Sequence, residues 1–406
     1  MNRPRGSVPD GGSTTVEDAV AALGEQLGRI DRTEVIPIHE AAGRVLAEPS
    51  HATRPQPHYR RSNRDGYAIR AAETTGATAA DPVALETTAG AVDPREAAWV
   101  HTGSAVPEGA DAVVMVESVT ETESGIEIAE PVDSGDFVTA IGAELETGTQ
   151  LYEPGHRIRP GDLGTLRVAG VQSVSVVEPP TVAVIPTGEE LVQSDPGPGE
   201  VVETNGLVGT ALIEHWCGTA RYRDVVTDDE HTLGAAIERD LDADLIVTTG
   251  GSSVGSRDLL PGVVADRGEM LVEALALRPG HSASVGVVEG TPIAMLPGTP
   301  IAALVVAWVL VRPALARAVG TAVLEPPTVR ATLATDLASE AGRRTVHGLS
   351  IDEPAADGDK PTARATPRGG LPSLAGIDGW VQVEESRTGI PSAETVTVER
   401  WGDGPC

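Results

Sequence analysis

The spacing of apolar residues predicts a helix close to the N-terminus. Val16, Leu23 and Leu27 fall on one face of a helix. Thr15 directly precedes this run, and threonine is a favoured N-cap residue because its side-chain oxygen accepts a hydrogen bond from the first helical turn. The preceding residues, 1–13, are polar and rich in Pro and Gly, so we expect a flexible tail there.

Short apolar runs bounded by Gly and Pro characterise the next region. Such runs are typical of β-strands joined by tight turns, and they fill residues 51–146. The flanking segments have a mixed strand and helix pattern, with a helix expected at 160–168. We therefore predict a β-rich lid domain over 51–146, carried by a linker domain that the chain forms in two pieces, 14–50 and 147–178.

From residue 181 the pattern changes to alternating strand-like and helix-like runs. The strand-like runs are 182–185, 221–226 and 245–249, and the helix-like runs are 207–217, 230–241 and 301–318. This alternation predicts a multidomain α/β plus β protein, with a central three-layer α/β domain and a mostly parallel sheet over residues 179–324. After a Pro-rich linker, short strands separated by turn residues predict a small C-terminal β-barrel domain, or an open sheet, over 328–406.

Length and composition indicate a soluble, folded protein. The chain has 406 residues, of which 40% are apolar, and this share is too high for a disordered chain. No apolar run approaches the roughly 18–20 uncharged residues of a membrane span, and no apolar segment follows the basic N-terminus as in a secretory signal. The two cysteines, Cys217 and Cys406, exclude a disulfide framework and a Cys-rich zinc site. We expect a cytoplasmic protein.

The net charge is strongly negative. The chain has 30 basic and 60 acidic residues, which gives −30, and Lys360 is the only lysine. Such a surface repels nucleic acid and anionic membranes, so neither is expected as a partner. The composition is typical of proteins kept soluble in concentrated salt, where charges are screened within about 3 Å, and it points to a halophilic archaeon. We interpret the charge as a sign of habitat and not of function.

Three loops of the predicted α/β domain are expected to meet, because ligands bind beyond the carboxyl ends of parallel strands. The loops span 186–191, 249–258 and 296–300. In the second loop, Gly250-Gly251-Ser252-Ser253 offers backbone N–H groups and hydroxyls that suit an oxyanion or a phosphate. It matches neither the dinucleotide-binding fingerprint nor the P-loop, and by itself an ordinary turn remains the simpler interpretation.

Carboxylates accompany these loops. Glu190 and Asp258 are expected beside the Gly-Ser segment, where carboxylates indicate a bridging Mg²⁺ or proton transfer. Asp228 follows the 221–226 strand and is expected at the same edge, although the pair Asp228-Asp229 also suits a helix N-cap. Because 60 residues are acidic, each carboxylate is equally compatible with a chance position in its loop.

Motifs from all these regions occur in a fixed order along the chain. They are Ala42-Gly43-Arg44-Val45-Leu46-Ala47-Glu48, Asp65-Gly66-Tyr67-Ala68, Thr102-Gly103, Gly109-Ala110-Asp111-Ala112-Val113, Thr187-Gly188-Glu189-Glu190-Leu191, Thr204-Asn205, Asp228-Asp229, Gly250-Gly251-Ser252-Ser253-Val254-Gly255, Leu296-Pro297-Gly298-Thr299-Pro300 and Gly342-Arg343. The segments around Asp65 and Thr102 by themselves predict only turns. In this order, from about residue 14 to residue 400, the chain resembles the molybdopterin molybdenumtransferase family, which includes the C-terminal domain of gephyrin.

The resemblance implies an activity and an assembly. The activity is the ligation of molybdate or tungstate to molybdopterin, with adenylylated molybdopterin as substrate, AMP as product and Mg²⁺ as the required ion. The assembly is a homodimer of elongated four-domain subunits, in which each active site lies between the α/β domain of one subunit and the β-rich lid domain of the other. Proteins that supply molybdopterin and accept the finished cofactor are implied as partners.

The resemblance also implies site residues. The catalytic residues are Asp65, Thr102, Glu190, Asp228 and Asp258, of which Glu190, Asp228 and Asp258 would hold the metal. The substrate-binding residues are Thr187, Gly188, Asn205, Gly250, Gly251, Ser252, Ser253, Gly255, Arg278, His281, Pro297, Gly298, Thr299 and Pro300.

Departures from the family pattern lie near the expected substrate. Arg278 and His281 stand where the family often has two lysines, and the arginines that the family has before Gly142 are missing. Fewer cations should weaken the binding of an anionic substrate, so an altered substrate or metal preference stays open. Two other functions also stay open, a molybdopterin adenylyltransferase and a non-catalytic scaffold that holds molybdopterin. The additional domains disfavour the first, and the clustered carboxylates disfavour the second.

Overall fold

The chain divides into two units, which are described separately. The structure is a computed structural model that describes residues 12–250, 259–352, 360–366 and 371–400. The β-rich unit comprises Val35–Ala42 and Leu46–Val176. The α/β unit comprises the remaining described residues, from the segments Met1–Glu34, Gly43–Val45 and Val177–Cys406.

The predicted N-terminal helix is present and belongs to the α/β unit. This helix, α1 (Val16–Leu27), begins behind Thr15, whose side-chain oxygen accepts a hydrogen bond of 3.1 Å from the backbone N–H of Asp18. Its apolar face, which includes Ala19 and Leu23, is buried against strands and the last helix of the α/β sheet domain. The spacing of apolar residues does not reveal which partner covers a helix, and the linker domain over 14–50 and 147–178 stays a prediction.

Short strands make up most of the β-rich unit, in agreement with the runs bounded by Gly and Pro. The elements from residue 33 to residue 177 are β1 (Thr33–Pro37), β2 (Ser50–His51), β3 (Arg61–Ser62), β4 (Gly66–Ile69), β5 (Val83–Thr88), β6 (Glu96–Val100), β7 (Ala112–Met115), β8 (Val119–Glu121), β9 (Gly125–Ile128), β10 (Val138–Thr139), β11 (Gln150–Tyr152), helix α2 (Pro160–Val168) and β12 (Ser173–Val177). Helix α2 has the bounds that the sequence predicted, and Pro160 lies in its first turn. Proline is tolerated there because backbone N–H groups of the first turn have no acceptor within the helix.

A six-stranded sheet forms the centre of the β-rich unit, in the order β7-β4-β6-β5-β9-β8. Strand β4 pairs antiparallel with both β6 and β7. Gly66 begins β4, and a Cβ there would lie 2.0 Å from the carbonyl oxygen of Val114, so the close approach of β7 requires glycine. The register pairs Gly66 with Val100 and Tyr67 with Trp99. The residues just before β4 and just after β6 are therefore brought side by side.

The α/β unit alternates strands and helices, as predicted. Its sheet domain contains β13 (Thr181–Pro186), β14 (Leu191–Val192), β15 (Val201–Val202), α3 (Asn205–His215), β16 (Thr219–Tyr222), α4 (Glu230–Arg239), β17 (Leu245–Thr249), α5 (Leu260–Arg267), β18 (Gly268–Val272), β19 (Leu277–Arg278), β20 (Ser284–Val288), β21 (Thr291–Leu296), α6 (Pro300–Val306) and α7 (Arg312–Ala318). The strand expected at 221–226 is β16, which begins and ends earlier, because its parallel pairing with β13 covers Thr219 to Tyr222.

The principal sheet of this unit is the middle one of three layers, with helices on both of its faces. Its strands pair in the order β16-β13-β17-β21-β20-β18. The first four run parallel, and β20 runs antiparallel to both of its neighbours. Helices α4 and α5 cover one face, and α1, α3 and α6 contact the strands from the other side. This arrangement confirms the three-layer α/β domain with a mostly parallel sheet.

The last helix of the sheet domain is long and mostly apolar, with Arg312 and Arg317 near its C-terminal end. Helices α6 and α7 are joined by one π-helical segment, Ala307–Val311. By length and composition alone, Pro300–Ala318 is the one described helix that could cross a membrane. However, 72% of its most apolar window is buried inside the protein, which is the behaviour of a core helix.

The C-terminal strands close into a barrel. They are β22 (Thr328–Leu333), β23 (Leu337–Ala338), β24 (Arg344–Asp352), β25 (Thr362–Ala365), β26 (Gly379–Val383), β27 (Gly389–Ile390) and β28 (Thr395–Arg400). The ring runs β24-β25-β22-β28-β26 and returns to β24, which leaves no free edge within it. Buried aliphatic side chains fill its interior, including those of Leu349 and Val398. Of the two alternatives from the sequence, the structure confirms the barrel.

Candidate active site

The loops that follow β13, β17 and β21 lie at one edge of the parallel sheet. The backbone N–H of Thr187 donates to the carbonyl of Thr249 at 2.9 Å, and the N–H of Gly250 donates to the carbonyl of Leu296 at 3.1 Å. These bonds continue the strand pairing past the last strand residues. The predicted convergence of the three loops is therefore present.

Glycine allows these loops to approach closely. Gly250 has φ +109°, and a Cβ on it would lie 2.1 Å from the carbonyl oxygen of Thr187. Across the next loop, a Cβ on Gly298 would lie 3.4 Å from the Cα of Gly250. The side-chain amide of Asn205 donates to the carbonyl of Gly298 at 2.8 Å, so the start of α3 is tied to the loop that precedes α6. These predicted substrate-binding residues are thus neighbours.

The remaining residues of the third loop start the long helix. Pro297 is buried, and Thr299 is the N-cap residue of α6 without a side-chain capping bond. Pro300 occupies the first helical turn. With Asn205 and other side chains it lines a small, largely apolar cavity of about 20 Å³, about the space of one water molecule.

Three carboxylates interact electrostatically beside these loops. Burial raises the pKa of Asp228, and the negative charges of Glu190 and Glu189 raise it further. Gly188, which precedes the two glutamates, donates its backbone N–H to the carbonyl of Val226 at 3.0 Å and so joins the two segments. Like charges held together in this way favour an added cation.

The N-cap alternative applies to the neighbouring aspartate. Asp229 caps α4, because its side chain accepts a hydrogen bond of 3.0 Å from the backbone N–H of His231 and another from that of Thr232. These bonds lower the pKa of Asp229, with the side chain of Thr232 contributing most. Asp228 therefore does not cap the helix, and its carboxylate remains beside that of Glu190.

Part of the predicted site lies outside the described residues. These positions are Gly251, Ser252, Ser253, Gly255 and Asp258. Within the ranges that the structure describes, no group of three His, Cys, Asp or Glu side chains has metal-site geometry. Of the three predicted metal ligands, Glu190 and Asp228 lie within the described residues, and their binding of a metal stays a prediction.

Three buried threonine hydroxyls lie at the ends of β13 and β17, and the sequence indicated only Thr187 among them as a candidate binding residue. The Oγ1 atoms of Thr187, Thr248 and Thr249 are buried and have no hydrogen-bond partner in the described structure. A buried hydroxyl without a partner costs about 1–3 kcal/mol, so these atoms are suited to a water molecule or a ligand oxygen. Thr-Thr at the end of an otherwise aliphatic strand is the signal that sequence reasoning missed.

Arg278 and His281 have partners within the α/β unit. The guanidinium of Arg278 donates to the Glu340 carboxylate at 2.6 Å, and β19 pairs with β24 of the barrel. The Nδ1 atom of His281 lies 2.9 Å from the carbonyl oxygen of Leu275, within its own loop. The contact of either side chain with a substrate phosphate stays a prediction.

The predicted residues of the β-rich unit contact each other directly. The Oδ1 atom of Asp65 accepts a hydrogen bond of 2.6 Å from the backbone N–H of Thr102. This bond, and a second one from the Thr102 hydroxyl, lower the pKa of Asp65. The cause is the register of β4 and β6, which places the two loops together. Asp65 is thus held as an accessible carboxylate, since its side chain is 56% exposed.

Comparisons with known proteins identify the family. Residues 14–170 match the family described as "MoeA N-terminal region (domain I and II)", and residues 183–317 match the family described as "Probable molybdopterin binding domain". A molybdopterin molybdenumtransferase of Nostoc sp. is 31% identical over 330 residues, 77% of this chain and 76% of that protein. Molybdopterin molybdenumtransferase 2 of Mycobacterium tuberculosis is 32% identical over 351 residues, 81% of this chain and 86% of that protein.

A solved structure extends the similarity to nearly the whole chain. The molybdopterin biosynthesis MoeA protein of Pyrococcus horikoshii superposes with a TM-score of 0.81 at 30% identity, covering 96% of this chain and 99% of that one. The order of domains, the closed barrel and the mixed central sheet are thus those of a solved relative. This chain belongs to the MoeA family of molybdenum cofactor biosynthesis proteins.

Proposed function

We propose that this protein inserts molybdate or tungstate into adenylylated molybdopterin and releases AMP. The observation that carries the proposal is the group of Glu189, Glu190 and Asp228 at the loop-bearing edge of the sheet, in the part of the chain that matches a molybdopterin-binding family. Relatives at 31% and 32% identity bear the name molybdopterin molybdenumtransferase. Clustered carboxylates are of no use to a protein that only holds an anionic pterin phosphate.

The carboxylates fit a divalent cation. Hard oxygen donors are the ligands that Mg²⁺ prefers, and burial together with the charges of Glu190 and Glu189 raises the pKa of Asp228, so a cation there would be favoured electrostatically. We assign Glu190 and Asp228, with Asp258, as the residues that would hold Mg²⁺. When bound, the ion would neutralise charge on the phosphate oxygens of the adenylate.

The surrounding loops bind and orient the substrate in this proposal. In this proposal, the buried hydroxyls of Thr187 and Thr249, which have no partner in the described structure, donate to anionic oxygens that enter the site. The absence of a side chain on Gly250 lets the loop after β17 approach Thr187 closely, and Asn205 holds the neighbouring loop through its bond to Gly298. Orientation of this kind is a major part of catalysis when the reacting group is a phosphoryl centre.

A homodimer with shared active sites accommodates the two separate groups of residues. Glu190 and Asp228 lie in the α/β unit, and Asp65 and Thr102 lie in the β-rich unit. We propose that Asp65 and Thr102 of one subunit serve the active site whose carboxylates come from the other subunit. We also propose that the protein acts in the cytoplasm, between a protein that supplies molybdopterin and one that accepts the finished cofactor.

The decisive experiment follows AMP release. The purified protein is incubated with adenylylated molybdopterin, Mg²⁺ and either molybdate or tungstate, and AMP is quantified by chromatography. Release that depends on the oxyanion supports the proposal. Consumption of ATP with unmodified molybdopterin would instead show an adenylyltransferase, and tight binding of the adenylate without any AMP would show a scaffold.

A further inference from the structure

A row of neighbouring side chains, Trp99 and His101, leads to Asp65 in the β-rich unit. The register of β4 and β6 pairs Gly66 with Val100, and one step further it sets Asp65 opposite His101. The Nδ1 atom of His101 lies 3.8 Å from Oδ1 of Asp65. On its other side, Nε1 of Trp99 donates to Nε2 of His101 at 3.3 Å.

The indole of Trp99 determines which nitrogen of His101 carries the proton. An indole N–H can only donate a hydrogen bond, so Nε2 of His101 must accept and is unprotonated. The neutral imidazole then carries its proton on Nδ1, which is the atom that faces Asp65. Trp99 is itself held in place by Tyr67, with ring centroids 5.1 Å apart in an edge-to-face arrangement.

The carboxylate of Asp65 is already held by hydrogen bonds from Thr102. Its Oδ1 atom accepts the backbone N–H of Thr102, and the hydroxyl of the same residue also donates to the carboxylate. A donor from His101 would add a further restraint on the carboxylate from a different residue. The present separation of 3.8 Å exceeds a hydrogen bond, but such contacts commonly shorten when substrate binds.

We propose that His101 is a positioning residue for Asp65, and that Trp99 maintains the required Nδ1–H tautomer. This inference rests on the proposed function, because it gives Asp65 a part in the release of AMP. His101 and Trp99 do not contact the reacting atoms in this account. They hold the carboxylate in one orientation, with Trp99 acting on His101 and His101 acting on Asp65.

A measurement of the tautomer tests the arrangement without any enzyme assay. The full-length protein is labelled with ¹⁵N-histidine, and long-range ¹H–¹⁵N correlation spectra distinguish Nδ1–H from Nε2–H imidazoles at a pH where the rings are neutral. The signal that is lost in His101→Asn identifies His101. We expect the Nδ1–H form in the wild type and a shift to the Nε2–H form in Trp99→Phe, which keeps an aromatic ring but has no donor. An Nε2–H form in the wild type, or no change in Trp99→Phe, would overturn the proposal.

Steady-state kinetics of AMP release test the positioning role. His101→Asn retains an N–H close to the place of Nδ1, whereas His101→Leu removes the donor at similar size. We expect kcat of His101→Leu to fall about five- to tenfold, the net effect of one typical hydrogen bond, with little change in KM. His101→Asn should remain within about twofold of wild type, since the donor is preserved. Equal thermal unfolding midpoints of the variants exclude misfolding as the cause.

The outcomes separate this inference from the proposed function. A wild-type activity that His101→Leu leaves unchanged would overturn the role of His101 while the function stands. Equal losses in His101→Asn and His101→Leu would also overturn it, because the effect would then not depend on the donor. A wild type that releases no AMP under any condition would overturn both, because Asp65 would have no reaction to serve.

Discussion

Gly250→Ala tests the close approach of the loops at the active edge of the sheet. The new Cβ would stand 2.1 Å from the carbonyl oxygen of Thr187, so the ends of β13 and β17 must move apart by about 1 Å to restore an ordinary contact. The backbone is also unfavourable for alanine, because Gly250 has φ +109°. Overpacking costs about 1–3 kcal/mol and backbone strain about 1–2 kcal/mol, so we expect the free energy of unfolding to fall by about 2–5 kcal/mol.

Differential scanning calorimetry of the purified protein measures this loss. For a unit of this size, a loss of about 2–5 kcal/mol lowers the unfolding midpoint by about 5–15 °C. AMP release should fall more steeply, by up to about 10²-fold, since displacement of the loop that carries Glu190 by about 1 Å misplaces the substrate. The assay is run below the midpoint of the variant, so that unfolding does not contribute.

Gly262→Ala is the matched control. Gly262 lies in α5, and a Cβ there meets no atom within 4 Å. Alanine is the better helix former by about 1 kcal/mol, so this variant should melt at or slightly above the wild-type temperature with full activity. The reasoning is refuted if Gly250→Ala melts with the wild type, because the loops would then yield to the new methyl group without cost.

Three further predictions concern charged groups. Asp228→Asn should raise the unfolding midpoint at pH 7–8 and abolish most AMP release. Because the pKa of Asp228 is raised in the folded protein, its ionised form destabilises the fold as pH rises through that pKa. A variant that keeps this pH dependence of stability would contradict the prediction. Mixed dimers of Asp65→Ala and Asp228→Asn subunits should regain activity at one site, and no recovery despite demonstrated subunit exchange would place both residues in one subunit's site. Burial alone would raise the pKa of Asp162, but hydrogen bonds from Arg159 and His156 lower it far below its usual range. The ionised carboxylate therefore stabilises the fold above its unfolded pKa of about 3.9, and this stabilisation is lost at lower pH. In urea titrations, Asp162→Asn should lower the free energy of unfolding by about 1–2 kcal/mol at pH 7 and by progressively less at acidic pH.

Local patterns in the sequence determined most of the fold. Alternating runs in residues 181–318 predicted the parallel sheet and its helices, and short Gly- and Pro-bounded runs predicted the β-rich region. Helix α2 was predicted with its observed bounds, because Pro160 and the apolar residues behind it are a local signal. The rule that ligands bind beyond the carboxyl ends of parallel strands was enough to bring Thr187, Gly250 and Pro297 together.

The tertiary structure decided what depends on contacts between distant segments. Helix α1 packs against strands of the α/β sheet domain and against α7, and its apolar spacing alone did not identify these partners. Arg278 pairs with Glu340, which lies in the segment leading to the barrel strand β24, and no local pattern in the sequence indicated this partner. The raised pKa of Asp228 required the burial and the charges that only the folded loops create.

The arrangement of Asp65, His101 and Trp99 likewise depends partly on local sequence and partly on strand pairing. The sequence alone indicated a turn at Asp65 and another after His101, and motif order linked Asp65 with Thr102. Only the strand register placed His101 opposite Asp65 with the indole of Trp99 behind it, because register is determined by which side chains of β4 and β6 share the buried face. Periodicity and turn chemistry are properties of neighbouring residues, whereas distances between side chains on separate strands follow from packing.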